Sequence, residues 1–172
     1  MACYPQWTST DSYIDLSIRR LPVQDTAGQN SSIYPIKGAC QCGQVRYRLL
    51  QAPAMVVCCH CKECQKLSTS AFSITAVVKR EHLEFEGKLQ HWERPADSGN
   101  INAAAFCPGC GNRIYHYDPQ KPDVIKLKPS TLENTDIIKP SKHLWVSEKQ
   151  NWFEIPEGVE QYSKQADLTE KS

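Results

Sequence analysis

Residues 38–47 read GACQCGQVRY and residues 106–111 read FCPGCG, and these two stretches decide the fold. Each contains two closely spaced cysteines followed by glycine. Such a pair can supply one side of a tetrahedral zinc site, and the glycine allows a tight backbone turn. Because paired spacing with glycine on both halves is hard to obtain by chance, we predict a structural zinc site rather than four buried free thiols. Its ligands are Cys40, Cys42, Cys107 and Cys110.

A denser cluster, CCHCKEC, begins at Cys58. On an extended segment successive side chains point to opposite faces, so Cys59 and Cys61 can converge on one face. Cys58 and His60 then point to the other face, and a turn after Cys61 brings Cys64 back beside the first pair. Three ligands and a vacant fourth position are typical of catalytic zinc sites. The alternative is a closed second structural site, completed by His60, Cys58 or a distant residue.

Composition narrows the class of protein. The 172 residues suit one domain, and 20 basic against 19 acidic side chains leave a net charge of +1 without a basic cluster. We therefore expect a small-molecule substrate and neither a nucleic-acid nor a membrane partner. The first thirty residues carry no secretory signal pattern, which predicts a cytoplasmic location, where disulfides are rare. Of the nine cysteines, Cys3 and Cys58 are left over, and we interpret them as small apolar fillers.

The remaining chain predicts a mainly β fold with short helical turns only. Alternating or β-branched apolar patterns bounded by turn residues predict the strands. They are expected at residues 44–49, 54–59, 72–78, 83–85, 89–92, 113–117, 124–127 and 143–146. The segments between 72 and 92 are interpreted as a meander with a turn at Gly87, and short helices are expected after Cys61 and Ser147.

The domain itself is predicted to span residues 33–162. Residues 1–32 form a polar N-terminal extension with at most one short element around Tyr13–Leu21. The chain after Val159 is polar and is expected to fray, so residues 163–172 are taken as a frayed tail.

The quoted stretches, together with CHCKECQK at residues 59–66, resemble the glutathione-dependent formaldehyde-activating enzyme family, which also includes centromere protein V. The resemblance runs from about Ile36 to Tyr162 and implies the zinc-binding β-tent fold of that family. It implies structural zinc on the four-cysteine site and a second, labile zinc on Cys59, Cys61 and Cys64. It also implies a carbon-sulfur lyase that adds the thiol of glutathione, its co-substrate, to formaldehyde.

The charge of the second site indicates which chemistry suits it. Three thiolates on a doubly charged zinc ion leave one net negative charge, so the ion is a poorer Lewis acid than one held by imidazoles. A thiol can still join it as the fourth ligand and is deprotonated by coordination. This favours thiol-adduct chemistry over hydrolysis. We place the catalytic site at Cys59, Cys61 and Cys64 with His60 beside them.

Proton transfer during such a reaction needs a side chain within hydrogen-bond reach of the substrate. The candidates, each of which also has an ordinary structural interpretation, are His60, Glu63, His116 and His143.

Two departures from the family pattern bear on the substrate. Thr69 stands where the family usually has glycine, and Ala103–Ala105 stand where a basic residue often occurs. We expect these alanines, with Trp92, Trp145 or Trp152, to form an apolar wall that favours a larger hydrophobic ligand. The alternative is that they pack in the core.

The sequence thus predicts a zinc-dependent carbon-sulfur lyase-type enzyme acting on a thiol adduct, with glutathione as the thiol, of an aldehyde or a larger metabolite. One alternative is a zinc enzyme with a substrate unrelated to glutathione. Another is a non-catalytic zinc-binding interaction module.

Overall fold

A computed structural model describes residues 33–96 and 99–166. The strands are β1 (Ile36–Ala39), β2 (Arg46–Leu49), β3 (Met55–Cys59), β4 (Ser73–Lys79), β5 (Leu83–Glu86), β6 (Gln90–Pro95), β7 (Ile101–Phe106), β8 (Arg113–Asp118), β9 (Lys121–Leu127), β10 (Lys142–Leu144) and β11 (Glu160–Tyr162). The helix α1 spans Lys62–Ser68, and short 3-10 turns span Arg80–His82, Pro129–Thr131 and Val146–Glu148. The predicted mainly β class with short helical segments is confirmed.

Two sheets make up this described part. β1, β2 and β5 form a three-stranded antiparallel sheet in that order. The remaining strands form an eight-stranded sheet in the order β11-β10-β3-β4-β9-β8-β7-β6. Within it, β10 pairs in parallel with both β3 and β11, and the other pairs are antiparallel.

The predicted meander between residues 72 and 92 is wrong. β4 pairs with β3 and β9, β5 pairs with β2 in the other sheet, and β6 pairs with β7. The chain changes sheets twice in this region, first at the turn Arg80–His82 and then at Gly87. Gly87 has φ +90° and packs against the backbone carbonyl of Gln44, a close approach that no side chain at this position would allow. A turn signal predicts that the chain reverses, but it does not specify the strand with which the next segment pairs.

The main core lies between the two sheets. Side chains from the small sheet, such as Tyr47 and Leu49, pack with side chains from the large sheet, such as Ile125 and Leu127. Burying these apolar groups is the main favourable term that holds the sheets together.

The alanines of β7 belong to the interior of the fold. Ala103–Ala105 are fully buried, because β7 lies between β6 and β8. The predicted apolar wall is therefore wrong as far as the alanines are concerned, and the alternative, packing in the core, describes them.

The end of the described chain is more ordered than predicted. Glu160–Tyr162 forms β11, so the expectation of fraying directly after Val159 is wrong for these residues. Ala166 is buried in a second small cluster with Val57 and Leu144. The element expected around Tyr13–Leu21 lies outside the described residues, and the domain limits stay predictions. The described residues include no helix that is both long and apolar enough to cross a membrane.

Candidate metal centres

The four-cysteine group is assembled from two loops that belong to different sheets. Cys40 and Cys42 lie between β1 and β2, and Cys107 and Cys110 lie between β7 and β8. The Cys42 sulfur is 3.5 Å from that of Cys40 and 3.6 Å from that of Cys107, and all four sulfurs lie within 4.8 Å of one another. Zinc–sulfur bonds of about 2.3 Å in a tetrahedron place the sulfurs about 3.8 Å apart. The donor set therefore fits zinc.

The backbone around this group supports thiolates. Gly43 and Gly111, which follow the second cysteine of each pair, have φ of +76° and +72°, so the predicted tight turns are confirmed. The Val45 amide donates a hydrogen bond of 3.2 Å to the Cys40 sulfur. Burial raises the pKa of Cys40, but the Val45 amide and the neighbouring thiols outweigh burial and bring the pKa to about 6.

The second cysteine group is built where β3 meets α1. Cys59 ends the strand, Cys61 caps the N-terminus of the helix, and Cys64 lies in its first turn, where its amide donates to the Cys61 sulfur at 3.4 Å. The three sulfurs lie within 4.8 Å of one another, and no fourth metal-ligating side chain among the described residues joins the group. The convergence expected from strand alternation is thus observed, while zinc binding here stays a prediction.

The three thiols of this group share protons. Hydrogen bonds from Cys59 and Cys64 lower the pKa of Cys61 far below its usual value. The same contacts raise the pKa of Cys59, because its proton is held between neighbouring sulfurs. Three converging sulfurs, one of which has a lowered pKa, are a suitable ligand set for a soft divalent metal.

A buried lysine accompanies the three thiols, and sequence reasoning missed it. The Lys128 ammonium donates to the Ser73 hydroxyl at 2.9 Å and to the Thr75 hydroxyl at 3.1 Å, and Ser73 is the cross-strand partner of Cys59. Burial lowers the pKa of Lys128 to about 8, although the thiols of Cys64 and Cys59 oppose this shift. The sequence does not mark Lys128 directly. It shows only that Lys128 follows the strand β9, and the strands with which β9 pairs were not predictable.

The opposite face of β3 carries a different group. Nε2 of His60 lies 3.7 Å from the Cys58 sulfur and 2.8 Å from Nδ1 of His143. His143 reaches this place because β10 pairs with β3 in the register that puts His143 opposite Cys58. His60 is fully buried against the rings of Phe72 and Phe153. Its position gives no support to the predicted role in proton transfer, because it lies across the strand from the three sulfurs. Burial, followed by the charges of His143 and Lys149, lowers the pKa of His60 to about 4.

A cavity of about 220 Å³ lies beside the second cysteine group. Among the four candidates for proton transfer, Glu63 and His116 line this cavity. Trp92 also lines it, as predicted. The complete lining is Glu63, Cys64, Lys66, Leu67, Trp92, Arg94, Asn102, Arg113 and His116. Cys64 is the member of the three-cysteine group that lines this cavity, and the wall combines the apolar side chains of Leu67 and Trp92 with the cationic side chains of Lys66, Arg94 and Arg113.

His116 is a neutral imidazole in the wall of this cavity. Burial, with the charges of Lys128 and Arg113, lowers its pKa far below the usual value. Its two ring nitrogens lie 3.4 Å from the Asn102 side-chain amide and 3.4 Å from the Arg113 guanidinium. The lowered pKa makes this imidazole a weak base, and both of its ring nitrogens already face N–H donors.

The structure is thus a mainly β domain with two cysteine groups, one joining its two sheets and one beside a cavity, and each group could hold a metal ion. The sequence profile described as glutathione-dependent formaldehyde-activating enzyme matches residues 35–148. This chain belongs to that family, whose members act on small molecules, and the resemblance seen in the sequence is confirmed.

The chain was also compared with curated proteins and with solved structures. No curated protein matches it. Among solved structures, a crystal structure of a Rhodobacter sphaeroides protein from structural genomics is 22% identical, with a TM-score of 0.46, and the match covers 59% of this chain and 92% of that one.

Proposed function

We propose that this protein is a zinc-dependent carbon-sulfur lyase-type enzyme that forms and cleaves the adduct between a thiol, with glutathione as the family substrate, and an aldehyde. The observation that carries the proposal is the convergence of three cysteine sulfurs at a cavity that one of them, Cys64, lines. A cytoplasmic location is part of the same proposal.

Two sets of residues would hold zinc. The four-cysteine group, which has two fully buried members in Cys40 and Cys107, suits a permanent structural ion. The group of Cys59, Cys61 and Cys64 suits a labile ion, because only three ligands converge there. When bound at this second group, zinc supplies a position at which a substrate thiol is held as thiolate.

The reaction itself needs a proton to move. A bond forms between the thiol sulfur and the carbonyl carbon, the carbonyl π electrons move to oxygen, and the oxygen takes up a proton equivalent to the one that the thiol lost. Glu63 and His116 line the cavity, which makes them the candidates for carrying that proton. Glu63 is paired with Lys66 at 2.9 Å on the exposed rim, whereas His116 is buried and neutral.

The charge around the second group also favours thiolate chemistry. The three thiolates and a divalent ion carry a net negative charge, and the buried Lys128 ammonium beside them offsets it. His60, held by His143 and two phenylalanine rings, then keeps the CHC segment in place as a positioning residue.

The proposal is tested by the rate at which formaldehyde and glutathione exchange with their adduct, measured by NMR exchange spectroscopy with and without zinc-loaded protein. We expect the wild-type protein to accelerate exchange and Cys64→Ser to leave it at the uncatalysed rate. Cys58→Ala is the matched control, because Cys58 lies on the face of β3 that is turned away from the three sulfurs, and it should behave as wild type.

Replacement of glutathione or formaldehyde by other thiols and aldehydes extends the test to the alternatives. Acceleration with other thiols but not with glutathione would assign a glutathione-independent enzyme. A protein that holds both zinc ions and accelerates no thiol-aldehyde pair would contradict the proposal and favour a non-catalytic module.

A further inference from the structure

We propose that Arg94 and Arg113 form a carboxylate-binding subsite in the cavity beside Cys64, so that the enzyme selects ligands that carry a carboxylate group. The link to catalysis rests on the proposed function, whereas binding at the subsite does not.

The two arginines reach one cavity because of strand register. In the pairing of β6 with β7, Trp92 lies opposite Ala104 and Arg94 lies opposite Asn102. In the pairing of β7 with β8, Ala104 lies opposite His116, so one sheet face presents the side chains of the cavity wall. Arg113 is the first residue of β8 and pairs with Phe106, next to the point where the register between β7 and β8 shifts. Its guanidinium lies 5.7 Å from the centre of the Trp92 ring.

The positive charge of this wall is not balanced by the described chain. Within residues 33–96 and 99–166, no carboxylate forms an ion pair with Arg94 or Arg113. The other charged groups of the lining, Glu63 and Lys66, form an ion pair with each other at 2.9 Å. Burial, followed by repulsion from Arg94, lowers the pKa of Arg113, as expected for cations that lack an anion.

Each guanidinium also has N–H donors to spare. Arg94 donates to its neighbour, the Pro95 carbonyl, at 3.0 Å, and Arg113 contacts Nε2 of His116 at 3.4 Å. A guanidinium has five N–H donors in a planar fork, which matches the two oxygens of a carboxylate. The ring of Trp92, whose centre is 5.7 Å from the Arg113 guanidinium, adds a cation–π contact on this side of the cavity.

The cavity size favours a carboxylate on a small organic ligand. A volume of about 220 Å³ accommodates a group of a few heavy atoms between the arginines and the Cys64 sulfur. Either the thiol half or the aldehyde half of an adduct can provide the carboxylate, because both halves would lie in the cavity beside the Cys64 sulfur. The shared chemistry is therefore a carboxylate carried a few bonds from the reacting carbon or sulfur.

Binding is tested by isothermal titration calorimetry of zinc-loaded full-length protein with succinate and with its neutral diamide, succinamide, neither of which contains a thiol. We expect succinate to bind and succinamide to bind at least tenfold more weakly. Arg94→Gln and Arg113→Gln should each weaken succinate binding by about 10- to 100-fold, the usual effect of losing a charge-assisted hydrogen bond. Arg48→Gln is the control, because Arg48 is exposed on the small sheet and paired with Glu84.

Three results would overturn the subsite. They are equal affinity for succinate and succinamide in the wild type, unchanged succinate binding in both folded cavity variants, and tighter binding of inorganic phosphate than of succinate. The first comparison uses the wild-type protein alone, so it decides the matter even where a variant does not fold.

The catalytic link is tested separately with 3-mercaptopropionate and its amide as thiols in the exchange assay. Both arginine variants should raise KM for the acid by a larger factor than KM for the amide. Succinate binding without activity on any thiol would contradict the proposed function but keep the subsite. Activity with equal KM for acid and amide would contradict the subsite but keep the function.

Discussion

Lys128 is the residue on which the charge balance of the second cysteine group depends. Its ammonium is held by Ser73 and Thr75 and lies in the field of Cys59 and Cys64. A buried cation beside three thiolates stabilises their ionised form, which is the form that binds metal.

We therefore expect Lys128→Met to weaken zinc binding at the second group by about tenfold, the change that about 1.4 kcal/mol of lost charge interaction with the thiolates would produce. Competition with a chromophoric chelator measures this affinity. Lys126→Met is the matched control, because Lys126 lies two residues before Lys128, within β9, and is exposed. Equal zinc affinity in both variants would show that Lys128 does not act on the metal group.

Cys61 and Cys107 have different roles according to their positions. Cys61→Ser should abolish adduct exchange and leave the fold intact, because serine keeps the N-cap acceptor that Cys61 provides for the Cys64 amide. Cys107→Ser should give insoluble protein, since Cys107 is fully buried and links the two sheets. Soluble yield and exchange rate check both variants, and similar results for the two would contradict the division of roles.

At the scale of elements, α1 is short and depends on its ends. Its N-terminus meets the Glu148 carboxylate, which accepts from the Lys62 amide at 2.7 Å, and the Gln65 side chain donates to the His60 carbonyl at 2.6 Å. Its C-terminus is closed by Thr69, whose φ is +47°. This is the position at which the family usually has glycine, and the left-handed backbone explains that preference.

Thr69→Gly should therefore raise the free energy of unfolding by about 0.5–1 kcal/mol, because a side chain in this conformation costs about 1–2 kcal/mol and the added backbone freedom of glycine offsets part of the gain. Thr69→Ala keeps Cβ and should give no such increase. Urea unfolding of zinc-loaded protein measures both, and a lower stability for the glycine variant would contradict the assignment of strain.

The strands that the sequence predicts are those with alternation. β4 repeats buried and less buried positions and was predicted, whereas β7 reads INAAAF and was not, because alanine has little preference for strands and both faces of β7 are covered. Partners were harder to predict than strands. Parallel pairing of β10 with β3, which brings His143 to Cys58, depends on contacts between distant segments.

The same reasoning explains what was predictable of the site. Spacing and alternation within a few residues are local, so both cysteine groups could be recognised. The cavity was not predictable, because Arg94, Arg113 and Cys64 come from three elements whose proximity depends on sheet order.

At the scale of the molecule, the two cysteine groups differ in what they connect. The four-cysteine group joins the loop between β1 and β2 of the small sheet to the loop between β7 and β8 of the large sheet. The three-cysteine group joins only the end of β3 to the adjacent helix.

Mild chelation should consequently remove zinc in two stages. Loss of the ion from the three-cysteine group should leave the circular dichroism spectrum unchanged, and loss of the second ion should unfold the domain. Zinc content measured in parallel with the spectrum checks this. Simultaneous loss of all zinc and all structure would contradict the difference between the two groups.

The alternation at the end of β3 constrains how this protein can change over evolutionary time. Cys59 and Cys61 belong to the three-sulfur group, while Cys58 and His60, which alternate with them along the chain, belong to a buried group with His143. Deletion or insertion of a single residue here would exchange the two sets, so that the three-sulfur group would be broken up and His60 would lose its contacts with His143 and the aromatic rings. Length variation is therefore excluded from this segment by two independent requirements, and new activities must arise by substitution in the strands that face it.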